Sequence, residues 1–334
     1  MFTFLKYINP TWYFNLQPAI DQDYFPEISL ENQGQFGVVL DTQYQSTEAR
    51  QLDAAWCAFH SGYISKDTKP GGMDIWQKAK IPVSDEYRFI RKNYNALWSM
   101  YVLTLRIITF HNPFNEFMGW WHNRNVQRVD YAVSPHSYPE YKVFRSNLLN
   151  QQPLVSVIIP TLNRYTYLRE GLKDLMCQSY RNFEVIVVDQ SEPFQEEFYK
   201  DWNFPLRYWY QQEKALWKAR NEAIKEAKSE FILLFDDDSR VEPDWIEHHI
   251  KTLDFFKADI SSGVSISQVG DKVPAHYAYF RWSDQLDTGN VMIRRNVFEQ
   301  IGLFDRQFEK QRMGDGEFGL RAYLAGFRNI SNPY

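Results

Sequence analysis

Two hydrophobic patterns divide the chain. From residue 154 onward, short continuous apolar runs alternate with stretches where apolar residues recur every three or four positions. Val155-Ser-Val-Ile-Ile159, bounded by Pro153 and Pro160, reads as a strand covered on both faces. Leu168, Leu172, Leu175 and Met176 follow at helical spacing. Phe183-Glu-Val-Ile-Val-Val188 predicts a second buried strand, Leu206-Arg-Tyr-Trp-Tyr210 a third and Phe231-Ile-Leu-Leu-Phe235 a fourth. A helix with Ala219, Ala223 and Ala227 on one stripe separates the last two, and another opens at Pro243 with Ile246, Ile250 and Leu253 in register. Strands joined by helical crossovers imply the α/β class, a Rossmann-like, mainly parallel, doubly wound sheet.

Residues 1–132 read differently. They are aromatic and irregular, with turn signals at Asn32-Gln-Gly34 and Lys69-Pro-Gly-Gly72, and form an accessory region of mixed structure with no motif tied to chemistry. One long helical stretch is predicted from about Asp85 to Phe110, carrying Ile90, Tyr94, Leu97, Tyr101, Leu105 and Ile108 at helical spacing. Its opposite face is largely apolar as well. The segment Ala96–Phe110 contains Arg106 and falls short of the roughly 20 residues a membrane span needs, so it reads as a buried or interfacial helix. Residues 133–153, polar and proline-bearing, are the expected linker, and 154–334 the second domain.

Composition narrows the function classes. At 334 residues, the chain is long enough for about two domains. With 37 basic and 42 acidic residues, the net charge of -5 speaks against a protein that holds nucleic acid by neutralising phosphates. Aromatic residues make up 17% of the chain, which suits a large core, a sugar-stacking surface or a membrane-interface belt. Cys57 and Cys177 stand far apart, which excludes a cysteine-based zinc site and fits a reducing cytosol. Met1-Phe-Thr-Phe-Leu-Lys6 lacks the order of a secretory signal. The expected location is the cytoplasm, with peripheral contact at the inner face of the membrane as a further expectation. Trp120-Trp-His-Asn-Arg124, followed by Arg128, suits such a contact as well as it suits packing against the second domain.

In a parallel sheet the carboxyl ends of the strands share one edge, and ligands bind there. Three polar clusters follow three of the predicted strands: Pro160-Thr-Leu-Asn-Arg164, Asp189-Gln-Ser191 and Asp236-Asp-Asp238. Adjacent carboxylates repel one another and become favourable around a divalent cation. Oxygen ligands without Cys or His favour Mg²⁺ or Mn²⁺, ions commonly shared with substrate phosphates. Arg164, Lys214 and Arg220 are available to meet a diphosphate.

These residues resemble the family 2 glycosyltransferases of the GT-A fold. The matching blocks are Val155 to Arg164, Val187-Val-Asp189, Ala219-Arg-Asn221 and Leu234-Phe-Asp-Asp-Asp238. Thr288-Gly-Asn290 before Arg294-Arg295, then Ile301-Gly-Leu-Phe-Asp305 and Gly314-Asp-Gly-Glu-Phe-Gly-Leu-Arg321, follow in family order over about 154–330. The resemblance implies nucleotide-sugar contacts from Pro160, Thr161, Asn163, Arg164, Asp189, Lys214, Arg220, Asp236, Asp237, Gly289 and Asn290. It places Mn²⁺ or Mg²⁺ on Asp238 with Asp236, and makes Asp315 the general base. The implied reaction is inverting transfer from a UDP-sugar donor to a glycan or lipid-linked glycan acceptor in bacterial surface polysaccharide assembly.

Two departures from the family pattern stand out. Asp189-Gln-Ser-Glu192 replaces the common Asp-Asp-Gly-Ser, and the chain stops at Asn332-Pro-Tyr334 where relatives commonly continue with a strand and a metal- or diphosphate-holding His. An early end of the domain is therefore expected, and an inactive sugar-nucleotide-binding or scaffold subunit is the alternative reading. A sugar-1-phosphate nucleotidyltransferase fits less well, because no glycine-rich loop follows the first strand. Gly314-x-Gly316-x-x-Gly319 spells a dinucleotide fingerprint but follows no buried strand. His248 and His249 are adjacent on a predicted helix, and a surface or lightly packed role is expected for them. Tyr277, Tyr279, Phe280 and Trp282 suit either an acceptor-binding surface or core packing.

Overall fold

The computed structural model describes residues 2–8, 25–65, 80–267, 269, 274–283, 286–311 and 313–334. The turn signal at Lys69-Pro-Gly-Gly72 lies outside them. The chain forms two compact units, Met1–Ser137 and Tyr138–Tyr334.

The described part of the first unit is helical, with α1 (Thr47–His60), α2 (Val83–Asn93), α3 (Ala96–Ile108) and α4 (Pro113–Asn123). The single long helix expected from Asp85 to Phe110 is two helices. Tyr94 is extended (φ -129°, ψ 169°), and Asn95 Oδ1 then accepts from Leu97 N at 3.0 Å, capping a new helix start. Buried acids hold this unit together through backbone donors. Asp85 accepts from Gln45 N and Ser46 N at 2.8 and 2.9 Å, and Glu86 from Thr3 N and Phe4 N at 2.7 and 3.1 Å.

The second unit opens with two short helices inside the expected linker, α5 (Pro139–Val143) and α6 (Asn147–Gln151). The α/β pattern follows: β1 (Val155–Thr161), α7 (Tyr165–Met176), β2 (Phe183–Asp189), β3 (Leu206–Tyr210), α8 (Leu216–Glu226), β4 (Phe231–Phe235) and α9 (Trp245–Phe255). Next come β5 (Ile260–Ser262), β6 (Arg281–Trp282), β7 (Asn290–Arg294), α10 (Arg295–Ile301), α11 (Gly314–Leu324) and β8 (Asn329–Ser331). The sheet order is β3-β2-β1-β4-β7-β5-β8-β6. Strands β1 to β4 are mutually parallel, β7 runs antiparallel to both neighbours, and β8 pairs parallel with β5 and antiparallel with β6. The α/β, mainly parallel architecture is thus as the sequence predicts, and β8 adds a strand after the helix carrying Arg321.

Alternate strand residues serve opposite faces. Ile158, Ile186, Ile232 and Leu234 share a core with Trp217 and Ala223 of α8 and Phe318 of α11. On the other face, Phe235 meets Gly171 of α7 and the Trp245 ring of α9, 5.0 Å away. Strand β1 does not stop at Ile159: it runs through Pro160, which pairs in register with Val188, to Thr161. Pairing with β4 ends at Ile158–Leu234, so the missing proline N–H interrupts no β4 ladder there.

Candidate active site

The carboxyl ends of β1, β2 and β4 lie together, and the amino end of antiparallel β7 joins them because Asn290 pairs with Phe235. This register sets Thr288-Gly289 against Asp236. A Cβ on Gly289 would lie 2.6 Å from Asp236 Oδ2, so the close approach requires glycine.

Two arginines organise the acidic run. Arg220, fully buried on α8, donates from Nη2 to Asp236 Oδ1 at 2.6 Å and to the Thr288 carbonyl at 3.1 Å. Its Nε is buried without a hydrogen-bond partner among the described residues. Burial lowers the Arg220 pKa against the attraction of Asp236, Asp287 and Asp315, and a guanidinium keeps its charge under such a shift. Arg164, half exposed, donates to Asp237 Oδ1 at 3.3 Å and to Asp238 Oδ2 at 2.6 Å.

The three aspartates differ in surroundings. Asp237 is buried and accepts from Thr161 Oγ1 at 2.7 Å; burial raises its pKa, with Thr161 and Arg164 pulling the other way. Asp236 is also raised, first by burial and then by Asp287 and Asp238, against the pull of Arg220. The side chains of Asp236 and Asp238 remain 42% and 46% exposed, so their carboxylates can meet a ligand.

Asp315 enters from α11. The start of that helix is set by Gly314, where a Cβ would come within 2.5 Å of the Trp217 ring. Trp217 lies beneath the Arg220 guanidinium, 5.1 Å from its ring centre, and donates from Nε1 to the Phe308 carbonyl at 3.0 Å. Asp315 Oδ1 accepts from the following amide, Gly316 N, at 2.8 Å. Its neighbour Glu317 instead pairs with Arg321 at 2.8 Å, which anchors the helix to the Leu303 carbonyl.

Other expected contacts are tied within the protein. Asp189 is fully buried and accepts from Tyr165 OH and Tyr199 OH at 2.6 and 2.7 Å and from Ser191 N at 2.8 Å. Asn163 adopts a left-handed φ of 58° and joins two loops: its N donates to Ser191 Oγ and its Oδ1 accepts from Glu192 N. Lys214 is exposed and pairs loosely with Glu192 at 3.4 Å. Asn290 Oδ1 accepts from Trp245 Nε1 at 2.8 Å and lies 2.9 Å from His249 Nε2, so this side chain binds α9 to β7.

His249 is thereby fully buried, contrary to the expected surface role. Its Nδ1 is 2.9 Å from Ser261 Oγ, and burial lowers its pKa to about 4. Tyr279, Phe280 and Trp282 are buried in the protein, whereas Tyr277 lines a cavity of about 240 Å³ with His276, Arg281 and Asp287. The sequence reading overlooked Asp287, whose Oδ1 accepts from Gly289 N at 3.0 Å, and the Tyr165–Tyr199 clamp on Asp189. An acid immediately before the Thr288-Gly-Asn290 block was the available signal for the first.

Comparison with known proteins gives a consistent result. Residues 156–317 match the family model described as "Glycosyl transferase family 2". An uncharacterized glycosyltransferase of Rickettsia typhi is 29% identical over 177 residues, covering 47% of this chain and 55% of the relative. The dolichyl N-acetyl-alpha-D-glucosaminyl phosphate 3-beta-D-2,3-diacetamido-2,3-dideoxy-beta-D-glucuronosyltransferase of Methanococcus voltae is 24% identical over 206 residues, 54% of this chain and 64% of that protein. Among solved structures, the mannosyltransferase PcManGT from Pyrobaculum calidifontis, in complex with GDP-Man and Mn²⁺, aligns with a TM-score of 0.49 and 18% identity. That alignment covers 71% of this chain and 65% of that one. The chain spans little more than half the length of the Rickettsia relative.

Proposed function

Residues 156–317 belong to glycosyl transferase family 2, and from that premise we propose that the chain transfers a sugar from a UDP-sugar to a hydroxyl of a glycan or lipid-linked glycan, with inversion. The observation that carries this reading is the Asp236-Asp237-Asp238 run at the carboxyl edge of β4, joined there by Arg220, Arg164 and the Asp315 helix.

The donor set fits a divalent cation of the Mn²⁺ or Mg²⁺ kind. It consists of carboxylate oxygens, and among the described residues no group of three or more His, Cys, Asp or Glu encloses a metal position. Such an ion takes one or two carboxylates and completes its shell with water and substrate phosphate. Asp238, with Asp236 beside it, would hold it. When bound, it would offset charge on the departing diphosphate.

The chain's own residues supply the rest. The acceptor oxygen forms its bond to the anomeric carbon as the bond from that carbon to the diphosphate breaks, and the electron pair leaves with the nucleotide. The acceptor proton passes to the Asp315 carboxylate, which among the described residues has no side-chain ion pair, unlike Glu317. Arg220 orients Asp236 and offsets the effect of burial on its charge, and Thr161 with Arg164 orients Asp237 and Asp238. The Methanococcus relative is named for transfer to a dolichyl phosphate-linked sugar, which supports a lipid-linked acceptor and a place in surface polysaccharide assembly.

UDP release from a panel of UDP-sugars with Mn²⁺ and acceptor extracts tests the reading. Asp315→Asn is expected to lower turnover by at least about a hundredfold while leaving UDP binding intact. Full transfer by Asp315→Asn overturns the base assignment. Metal-dependent nucleotide binding without turnover of any donor favours a binding subunit instead.

A further inference from the structure

Helices α3 and α4 are inverted relative to an ordinary surface helix. In α3 the buried residues are Ser99, Val102 and Arg106, at i, i+3 and i+7. In α4 they are Glu116, Gly119 and Asn123, again at i, i+3 and i+7. Polar groups therefore face inward and satisfy one another. Arg106 pairs with Glu116 at 2.8 Å, Glu116 also accepts from Tyr87 OH at 2.8 Å, and Asn123 Nδ2 donates to the Ser84 and Gly119 carbonyls.

The outward faces are apolar. Leu97, Trp98, Met100, Tyr101, Ile107 and Ile108 are exposed on α3, and Phe114, Phe117 and Trp121 are exposed at i, i+3 and i+7 on α4. Phe110, in the connection, is 98% exposed. Scattered exposed hydrophobics are ordinary, but a contiguous set beside a sequestered ion pair marks a surface built for an apolar surrounding.

Length and charge identify that surrounding. The two helices have 13 and 11 residues, about 20 Å or less at 1.5 Å per residue, against roughly 30 Å of hydrocarbon. Among the described residues no helix is long and apolar enough to cross a membrane. Between Asn93 and Val129 the sole acidic residue is Glu116, which is buried and paired. The exposed charges in that span, Arg124 and Arg128, are both positive, and Arg124 lies over the Trp121 ring at 3.8 Å. An anionic surface neutralises this rim, whereas a second copy would oppose it with like charge.

We propose that the α3–α4 hairpin is a membrane-interface dock, laying its aromatic and aliphatic face into the headgroup–acyl boundary of an anionic bilayer while Arg124 and Arg128 meet lipid phosphates. The dock goes beyond the catalytic reading, and its test measures binding alone. The full chain is sedimented with vesicles of equal parts phosphatidylglycerol and phosphatidylcholine, and with phosphatidylcholine alone. Wild type is expected to sediment with the anionic vesicles, with a blue shift of tryptophan emission. Phe114→Ser/Phe117→Ser, at exposed positions, should weaken binding by about tenfold or more with an unchanged melting temperature. Arg124→Glu/Arg128→Glu should abolish the preference for anionic vesicles. Equal sedimentation of wild type with phosphatidylcholine alone, undiminished binding by the serine pair, or no vesicle binding with a dimer that the serine pair dissolves would each overturn the proposal.

Discussion

At the scale of single residues, the site depends on positions with no room for a side chain. Gly289 is the clearest case. The group a Cβ would strike is Asp236 Oδ2, at 2.6 Å, the mobile end of a half-exposed side chain. Alanine there is expected to push that carboxylate off Arg220 without unfolding the sheet, because the side chain can yield where backbone could not. Gly289→Ala should therefore weaken Mn²⁺-dependent UDP binding by about tenfold or more, one hydrogen-bonded charge contact being worth that much, while the melting temperature moves little. Titration calorimetry beside a thermal scan separates the two effects. Gly314 has the opposite character: its obstacle is the Trp217 ring, buried and hydrogen-bonded to Phe308. Gly314→Ala is expected to lower both the melting temperature and turnover, because α11 must shift and carry Asp315 with it.

At the scale of elements, the strands covered on both faces were legible and the marginal ones were not. β1, β2 and β4 are dominated by buried Val, Ile, Leu and Phe, so periodicity and composition agreed. β5, β6 and β8 have three, two and three residues, too few for any periodicity, and exist because a neighbouring strand supplies their partners. The antiparallel course of β7 was equally invisible, yet it brings Gly289 to Asp236. The break at Tyr94-Asn95 was hidden because apolar spacing continues across it while only the cap changes. His249 shows a stripe overlooked: Ile246, His249 and Leu253 are spaced i, i+3 and i+7, and α9 buries all three. Its pKa of about 4 carries a stability consequence. Below its ordinary value of 6.5, the unfolded chain binds a proton that the folded chain refuses, so stability falls as pH drops from about 6.5 to 4. The full effect is on the order of 3 kcal/mol. His249→Gln should cost stability at neutral pH yet flatten this acid limb, which chemical denaturation over that pH range would measure.

At the scale of the whole molecule, the aromatic richness divides between two uses. Much of it builds cores, as where Phe2 stacks on Phe89 at 3.8 Å and Tyr199 on Tyr208 at 4.4 Å, and a second share faces outward on α3 and α4. The same aromatics bear on where the second unit begins. Residues 139–151 look like a linker by composition because their contacts are made by few residues, each heavily used. Tyr141 is buried against Phe255 and Phe280 at 5.2 and 4.7 Å, and Tyr138 meets Phe256 edge-on at 5.0 Å. Ser146 Oγ donates to Asp254 Oδ2 at 2.6 Å, and Leu148 N donates to the same oxygen at 3.2 Å. A chain starting at Leu154 would expose Phe255 and Phe280 and leave Asp254 without these donors. Removing one buried aromatic residue alone costs about 3–5 kcal/mol, and each lost ring pair adds to it. A protein of residues 138–334 is therefore expected to melt at least about 6 °C above one of residues 154–334, which should also be the more prone to aggregate. Equal melting temperatures would show that α5 and α6 contribute nothing to the sheet domain and would restore the boundary at 153.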